Sequence, residues 1–190
     1  MSSSVTGKSR EKAIETAAEL FSSKGFAATG VAEVIERSGT PKGSFYFNFP
    51  GGKEELGVEA LSSAGADLEA GINLLADNSS SPEAFLRALT AAMVARLEVS
   101  DYFQGCPIAT VALETATTSG PLREASDRQF AAWQEAIARG LASGERPRAR
   151  ERRIAGEVLM LLEGALLMAR VRRSAEPLTS LNSTFRKLLT

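Results

Sequence analysis

The chain has 190 residues, 44% hydrophobic and 24% charged, which is enough for one or two globular domains with a substantial core. Its formal net charge of −1 gives no global basic signal for nucleic acid, and residues 1–53 carry seven Lys/Arg against five Asp/Glu, a surplus of about +2. There is no histidine, which removes the commonest general base and metal ligand, and the single Cys106 excludes an internal disulfide and fits a reducing cytoplasm.

Met1–Gly7 is Ser-rich, has no apolar stretch of the kind a secretory signal needs, and reads as an unstructured arm. A helix is predicted over Lys8–Lys24, with Ile14, Ala17, Ala18 and Phe21 on one face and Gly25 as its stop. Phe26 is expected to tuck under the same small core. Lys8 and Arg10 are candidates to reach a phosphate, or are solvated surface charge.

Val31, Val34 and Ile35 at i, i+3, i+4 give the apolar face of a short helix. Ser38-Gly39 ends it, because glycine readily takes the left-handed conformation of a C-terminal cap. Thr40 as N-cap and Pro41 at the first helical position start a second short helix over Lys42–Asn48. Phe45 and Phe49, one turn apart, anchor it inward. Two short helices joined by a tight glycine turn form the helix-turn-helix plan, whose second helix enters the DNA major groove.

A long helix is predicted from Lys53 to Asp77, then a polar loop over Asn78–Ser81. Ser81-Pro82 supplies an N-cap and first-position pair for a helix to Val99. After a break at Asp101–Gly105, further helices are expected from Cys106-Pro107 to Thr117 and from Leu122 to Ala142, with a Ser119-Gly120-Pro121 turn between them. A basic loop over Ser143–Arg150 leads to Glu151–Arg173, which is apolar nearly all round and so is expected to be buried on more than one side. Glu157, Glu163 and Arg170 interrupt it too often for a membrane span. A final amphipathic helix covers Leu178–Leu189. Nothing reads as a strand and no repeat appears, so the fold class is all-α with about nine helices.

The ordered residues Ala17-Ala18-Glu19-Leu20-Phe21, Gly25-Phe26, Thr29-Gly30-Val31, Ile35, Gly39-Thr40-Pro41-Lys42-Gly43-Ser44-Phe45-Tyr46, Phe49 and Lys53-Glu54-Glu55-Leu56 resemble the DNA-binding domain of TetR-family transcriptional regulators. The departures are Asn48, where the family often has His, and Pro50-Gly51-Gly52, which lengthens the next loop by one residue. The Phe-Pro-Gly-Gly-Lys run, with Gly105-Cys106-Pro107, is similar to the LmrA/YxaF-like subgroup.

The resemblance implies an arm and helix-turn-helix domain over residues 1–53 and a helical effector-binding and dimerisation domain over 54–190. It implies double-stranded DNA as partner, a palindromic operator read by a homodimer, and a small apolar or aromatic effector that releases it. It implies neither cofactor nor metal, no membrane, and a cytoplasmic location. The DNA contacts carried over are Thr29, Thr40, Pro41, Lys42, Gly43, Ser44, Tyr46, Asn48 and Lys53. Thr29 would cap the first helix of the motif. Lys42 would donate to guanine or to phosphate, and Asn48 to an adenine edge or to phosphate. The dimer interface falls on the last two helices, at Leu159, Leu166, Leu167, Val171, Leu181 and Phe185.

Pocket candidates are Met93, Leu97, Phe103, Cys106, Phe130, Trp133, Met160 and Glu163, since aromatics and Met line apolar pockets and a carboxylate orients a ligand. Plain core packing is the alternative for each Met and aromatic. Glu163, amid leucines, either finds a partner or water or meets a polar ligand. The rival reading is a DNA-binding dimer whose C-terminal domain only dimerises or docks a protein. An enzyme is disfavoured: Gly51-Gly52-Lys53 lacks the spacing of a phosphate loop, and no strand precedes it.

Overall fold

The computed structural model describes residues 3–142 and 146–190. Met1 and Ser2 of the expected arm, and Ser143–Glu145 of the expected basic loop, lie outside the described residues. The all-helical expectation holds: ten helices and no strand occur among the described residues. They are α1 (Ser3–Lys24), α2 (Val31–Ser38), α3 (Lys42–Asn48), α4 (Gly52–Asp77), α5 (Pro82–Val99), α6 (Pro107–Thr115), α7 (Gly120–Leu141), α8 (Ala149–Arg172), α9 (Glu176–Thr179) and α10 (Leu181–Leu189).

Two boundaries correct the sequence reading. α1 starts at Ser3 and runs through Gly7, so residues 3–7 are helical and not an unstructured arm. The expected last helix is two: Pro177 sits in the first turn of α9, and Leu181 opens α10 after Ser180.

The chain packs as two compact units, residues 1–66 with 107–129, and residues 67–106 with 130–190. In the first, Ala13, Ala17, Leu20 and Phe21 of α1 are buried together with Val34 of α2, Phe45 and Phe49 at α3, and Leu56, Ala60 and Leu61 of α4. The Phe21 and Phe26 rings lie 5.3 Å apart, and those of Phe45 and Phe49 5.2 Å apart. Ser119 fixes the start of α7: its hydroxyl accepts from Leu122 N at 3.2 Å and donates to Glu54 at the start of α4 at 2.5 Å.

In the second unit, α5 opens on Ser81, whose hydroxyl accepts from Ala84 N at 3.2 Å, with Pro82 next. α5 ends in a Schellman arrangement: Asp101 N donates to Glu98 O at 3.0 Å and Tyr102 N to Leu97 O at 2.7 Å, with Asp101 left-handed at φ 49°. α8 ends the same way. Arg173 N donates to Arg170 O at 3.2 Å and Ser174 N to Ala169 O at 3.1 Å, with Arg173 at φ 49°. These two left-handed residues, Asp101 and Arg173, form an ion pair at 2.6 Å. The core of this unit holds Phe85, Leu86, Leu97, Trp133, Ile137, Ile154, Val158, Leu162, Leu178 and Phe185.

Candidate nucleic-acid interface

α3 is seven residues long and is held by two side chains. Phe45 and Phe49 are fully buried, and the backbone bonds Phe45 N to Pro41 O and Phe49 N to Phe45 O, both 2.9 Å, set its register. Gly39, left-handed at φ 65°, ends α2, its N–H donating to Glu36 O, and turns the chain into α3. With that inner edge fixed, Pro41, Lys42, Gly43, Tyr46 and Phe47 are exposed and Ser44 and Asn48 lie at the flanks. Tyr46 packs edge-on against Phe45, centroids 5.4 Å apart, and remains 49% exposed. Asn48 Nδ2 is buried with no hydrogen-bond partner among the described residues.

Two residues expected at the DNA are turned inward. Thr29 is buried and its hydroxyl donates to Gly25 O at 2.7 Å; the N-cap of α2 is Gly30. Thr40 is buried, donates to Ser9 O at 3.1 Å and accepts from the Ser38 hydroxyl at 2.9 Å. Since Pro41 O accepts the first bond of α3, Pro41 is its N-cap, not Thr40. Both threonines hold the backbone around α2 and α3 from the inner side.

Lys53 is tied down as well. Its ammonium lies 4.3 Å from the Phe26 ring centroid and donates to Ala27 O at 3.4 Å. Burial pushes its pKa below the ordinary lysine range, and the charge of Glu114 pulls the other way. Glu114 on α6 also accepts the Ala27 N–H at 2.6 Å, so the peptide groups on both sides of Ala27 are hydrogen-bonded to side chains. Arg10 pairs with Glu59 at 2.7 Å and lies 5.6 Å from the Phe49 ring centroid.

The structure shows one exposed residue of α3 that the sequence reading left out: Phe47, 79% exposed. Counting about 100° per residue from Phe45 and Phe49 would have found it.

The pocket candidates differ in exposure. Trp133, Leu97 and Cys106 are buried, Met93 and Phe130 are half-buried, and the Phe130 and Trp133 rings meet edge-on at 5.7 Å. Phe103 (63% exposed) and Met160 (69%) are at the surface. Glu163 is partly buried; burial pushes its carboxyl above the ordinary range, and a hydrogen bond from Cys106 works against that. Of the interface candidates, Leu167 and Val171 are exposed, Leu159 is half-buried, and Leu166, Leu181 and Phe185 are buried within their own unit. Met160, Gly164 and Met168 line a groove of about 320 Å³ with Pro177 and Leu181.

Residues 13–60 match the model of bacterial regulatory proteins of the tetR family, and residues 82–184 match that of the LmrA/YxaF-like transcriptional regulator C-terminal domain. The chain belongs to the TetR family, in its LmrA/YxaF-like group. The regulator is 32% identical to the uncharacterised HTH-type transcriptional regulator YxaF of Bacillus subtilis over 90% of each chain. It is 30% identical to the HTH-type transcriptional regulator LmrA of the same species, over 96% of this chain and 97% of the relative. In fold it is similar to the crystal structure of regulatory protein TetR from Rhodobacter sphaeroides, with a TM-score of 0.81 and 22% identity over 94% of this chain and 97% of that one. The regulator is therefore a DNA-binding protein and not an enzyme. No helix among its described residues is long and apolar enough to cross a membrane.

Proposed function

We propose that this regulator is a cytoplasmic homodimeric repressor that reads a palindromic operator and is released by a small apolar or aromatic effector. The observation that carries the dimer is on α8. Met160, Gly164, Leu167 and Val171 follow a 4-3-4 spacing, fall on one stripe, and are exposed. Such a stripe is the narrow seam by which helices pair, and glycine within it lets two backbones approach. A second copy of the same helix is its simplest partner, and the apolar groove beside it gives that copy side chains to fill.

Pairing matters for reading. One seven-residue helix covers only a few base pairs, whereas two helices about 34–36 Å apart read both halves of a palindrome. Occupying the operator is enough to repress. Thr29 and Thr40 serve by holding α2 and α3, Lys42, Ser44 and Tyr46 face the duplex with half-buried Asn48 at the flank, and Gly43 and Pro41 let the backbone approach it. The partly buried carboxyl of Glu163, beside Cys106 and kept toward its neutral form, supports a polar end for the effector. An effector releases the DNA only if it binds the DNA-free state more tightly.

The second reading, a C-terminal domain that dimerises or docks a protein without small-molecule control, draws on Phe103 and Met160 lying at the surface. The division between reading and control at residues 53 and 54 belongs to this proposal too. Light scattering on the purified chain, followed by a thermal-shift screen of apolar and aromatic compounds, tests both. A dimer stabilised by a compound that also frees operator DNA supports effector control; a monomer overturns the dimer.

A further inference from the structure

We propose that Phe47 is a specificity-determining residue that reads the C5-methyl groups of thymines in the operator; this rests on the operator reading above. The inward direction of α3 is fixed by Phe45 and Phe49, both fully buried. At about 100° per residue, Phe47 lies roughly opposite the midpoint of those two. It therefore stands at the outermost point of the helix that enters the groove, whereas Ser44, Tyr46 and Asn48 flank it. Its exposure, greater than that of Tyr46, agrees. Its neighbour one turn back is Gly43, which has no side chain to cover the ring from that side.

A phenyl ring offers no hydrogen-bond donor or acceptor. In the major groove the apolar group that base pairs present is the thymine methyl, which distinguishes T·A and A·T from both G·C orientations. A ring seated there recovers the apolar burial it forgoes in the free protein. Tyr46, by contrast, keeps a hydroxyl for phosphate and has its ring braced on Phe45.

The test is a methyl-deletion scan. Duplexes enriched from a random pool by the full-length protein supply an operator. Each symmetric pair of thymines is then replaced by deoxyuridine, which removes only the methyl. The expected result is a loss of about fourfold per half-site at one or two symmetric positions, the worth of burying one methyl-sized group. Phe47→Ala should bind the thymine and uracil operators equally, and Phe47→Leu should keep part of the preference. Both variants should melt and dimerise as the parent does, because the side chain is outside the core. Indifference of the parent to every replacement overturns the proposal. So does a Phe47→Ala variant that retains the full methyl preference. Failure of the pool to yield any palindrome overturns the operator reading itself, a different and recognisable outcome.

Discussion

α3 and α8 both leave apolar side chains in solvent, and the comparison shows how to tell two uses of such surface apart. α3 is seven residues with two buried phenylalanines behind and one exposed phenylalanine in front, set among polar and small residues. α8 is 24 residues with buried Ile154, Val158, Leu162, Ala165 and Ala169 on one side and exposed Met160, Leu167, Met168 and Val171 on the other. An apolar ring set among donors and small residues suits a surface that is mostly polar, such as a base-pair edge. Several exposed apolar side chains along one helix suit another protein surface like themselves.

The sharpest way to break the comparison is to remove what holds α3 out. Phe45→Ala should destabilise the protein by about 3–5 kcal/mol, read as a lower denaturant midpoint, because the side chain is fully buried. Leu167→Glu with Val171→Glu should leave a folded monomer by sedimentation, with operator affinity down at least about 100-fold, since a charge buried unpaired in an interface costs several kcal/mol. A double variant that still dimerises would refute the α8 seam.

Lys42→Ala acts on the polar side of α3. If Lys42 holds a phosphate, affinity should fall evenly across sequences and the slope of log affinity against log salt should shrink by about 1. If it holds guanine, discrimination at one base pair should relax instead.

Glu163 gives a smaller effect with a defined sign. Burial raises its carboxyl pKa in the folded protein, so the folded state holds its proton more tightly than the unfolded state does. Its contribution is full below the unfolded pKa of about 4.3 and is lost as pH rises through the folded value. Glu163→Gln should therefore flatten the fall in melting temperature between acidic and neutral pH; an unchanged profile would show that the carboxyl does not titrate there. The smallest effect is expected at Arg173, left-handed at φ 49°. Arg173→Gly should relieve that conformation and gain about 0.5–1 kcal/mol in chemical denaturation, the exposed pair with Asp101 contributing little against it.

Much of this was legible because punctuation is local. Gly39 does take the left-handed cap, and Ser81-Pro82 does open α5, since each acts through residues within one turn. What failed to show was anything decided by distant neighbours. Whether Thr40 faces DNA or the interior depends on the Ser9 carbonyl, 31 residues away. On α8, leucine and methionine occur nearly all round, so no periodicity could separate Met160, outside, from Leu162, inside. Phe47 was hidden for the opposite reason: an aromatic residue beside two buried ones looks like a third anchor until its angle is counted.

The hold on Ala27 sets the terms on which DNA is met. Lys53 begins with a ring, a carbonyl and the nearby charge of Glu114 already satisfying its cation, so a phosphate arriving there displaces old company rather than bare solvent. Fewer condensed ions should then be shed into solution than a tally of basic residues in the reading head would suggest, and the regulator should let go of its site less abruptly as ionic strength climbs.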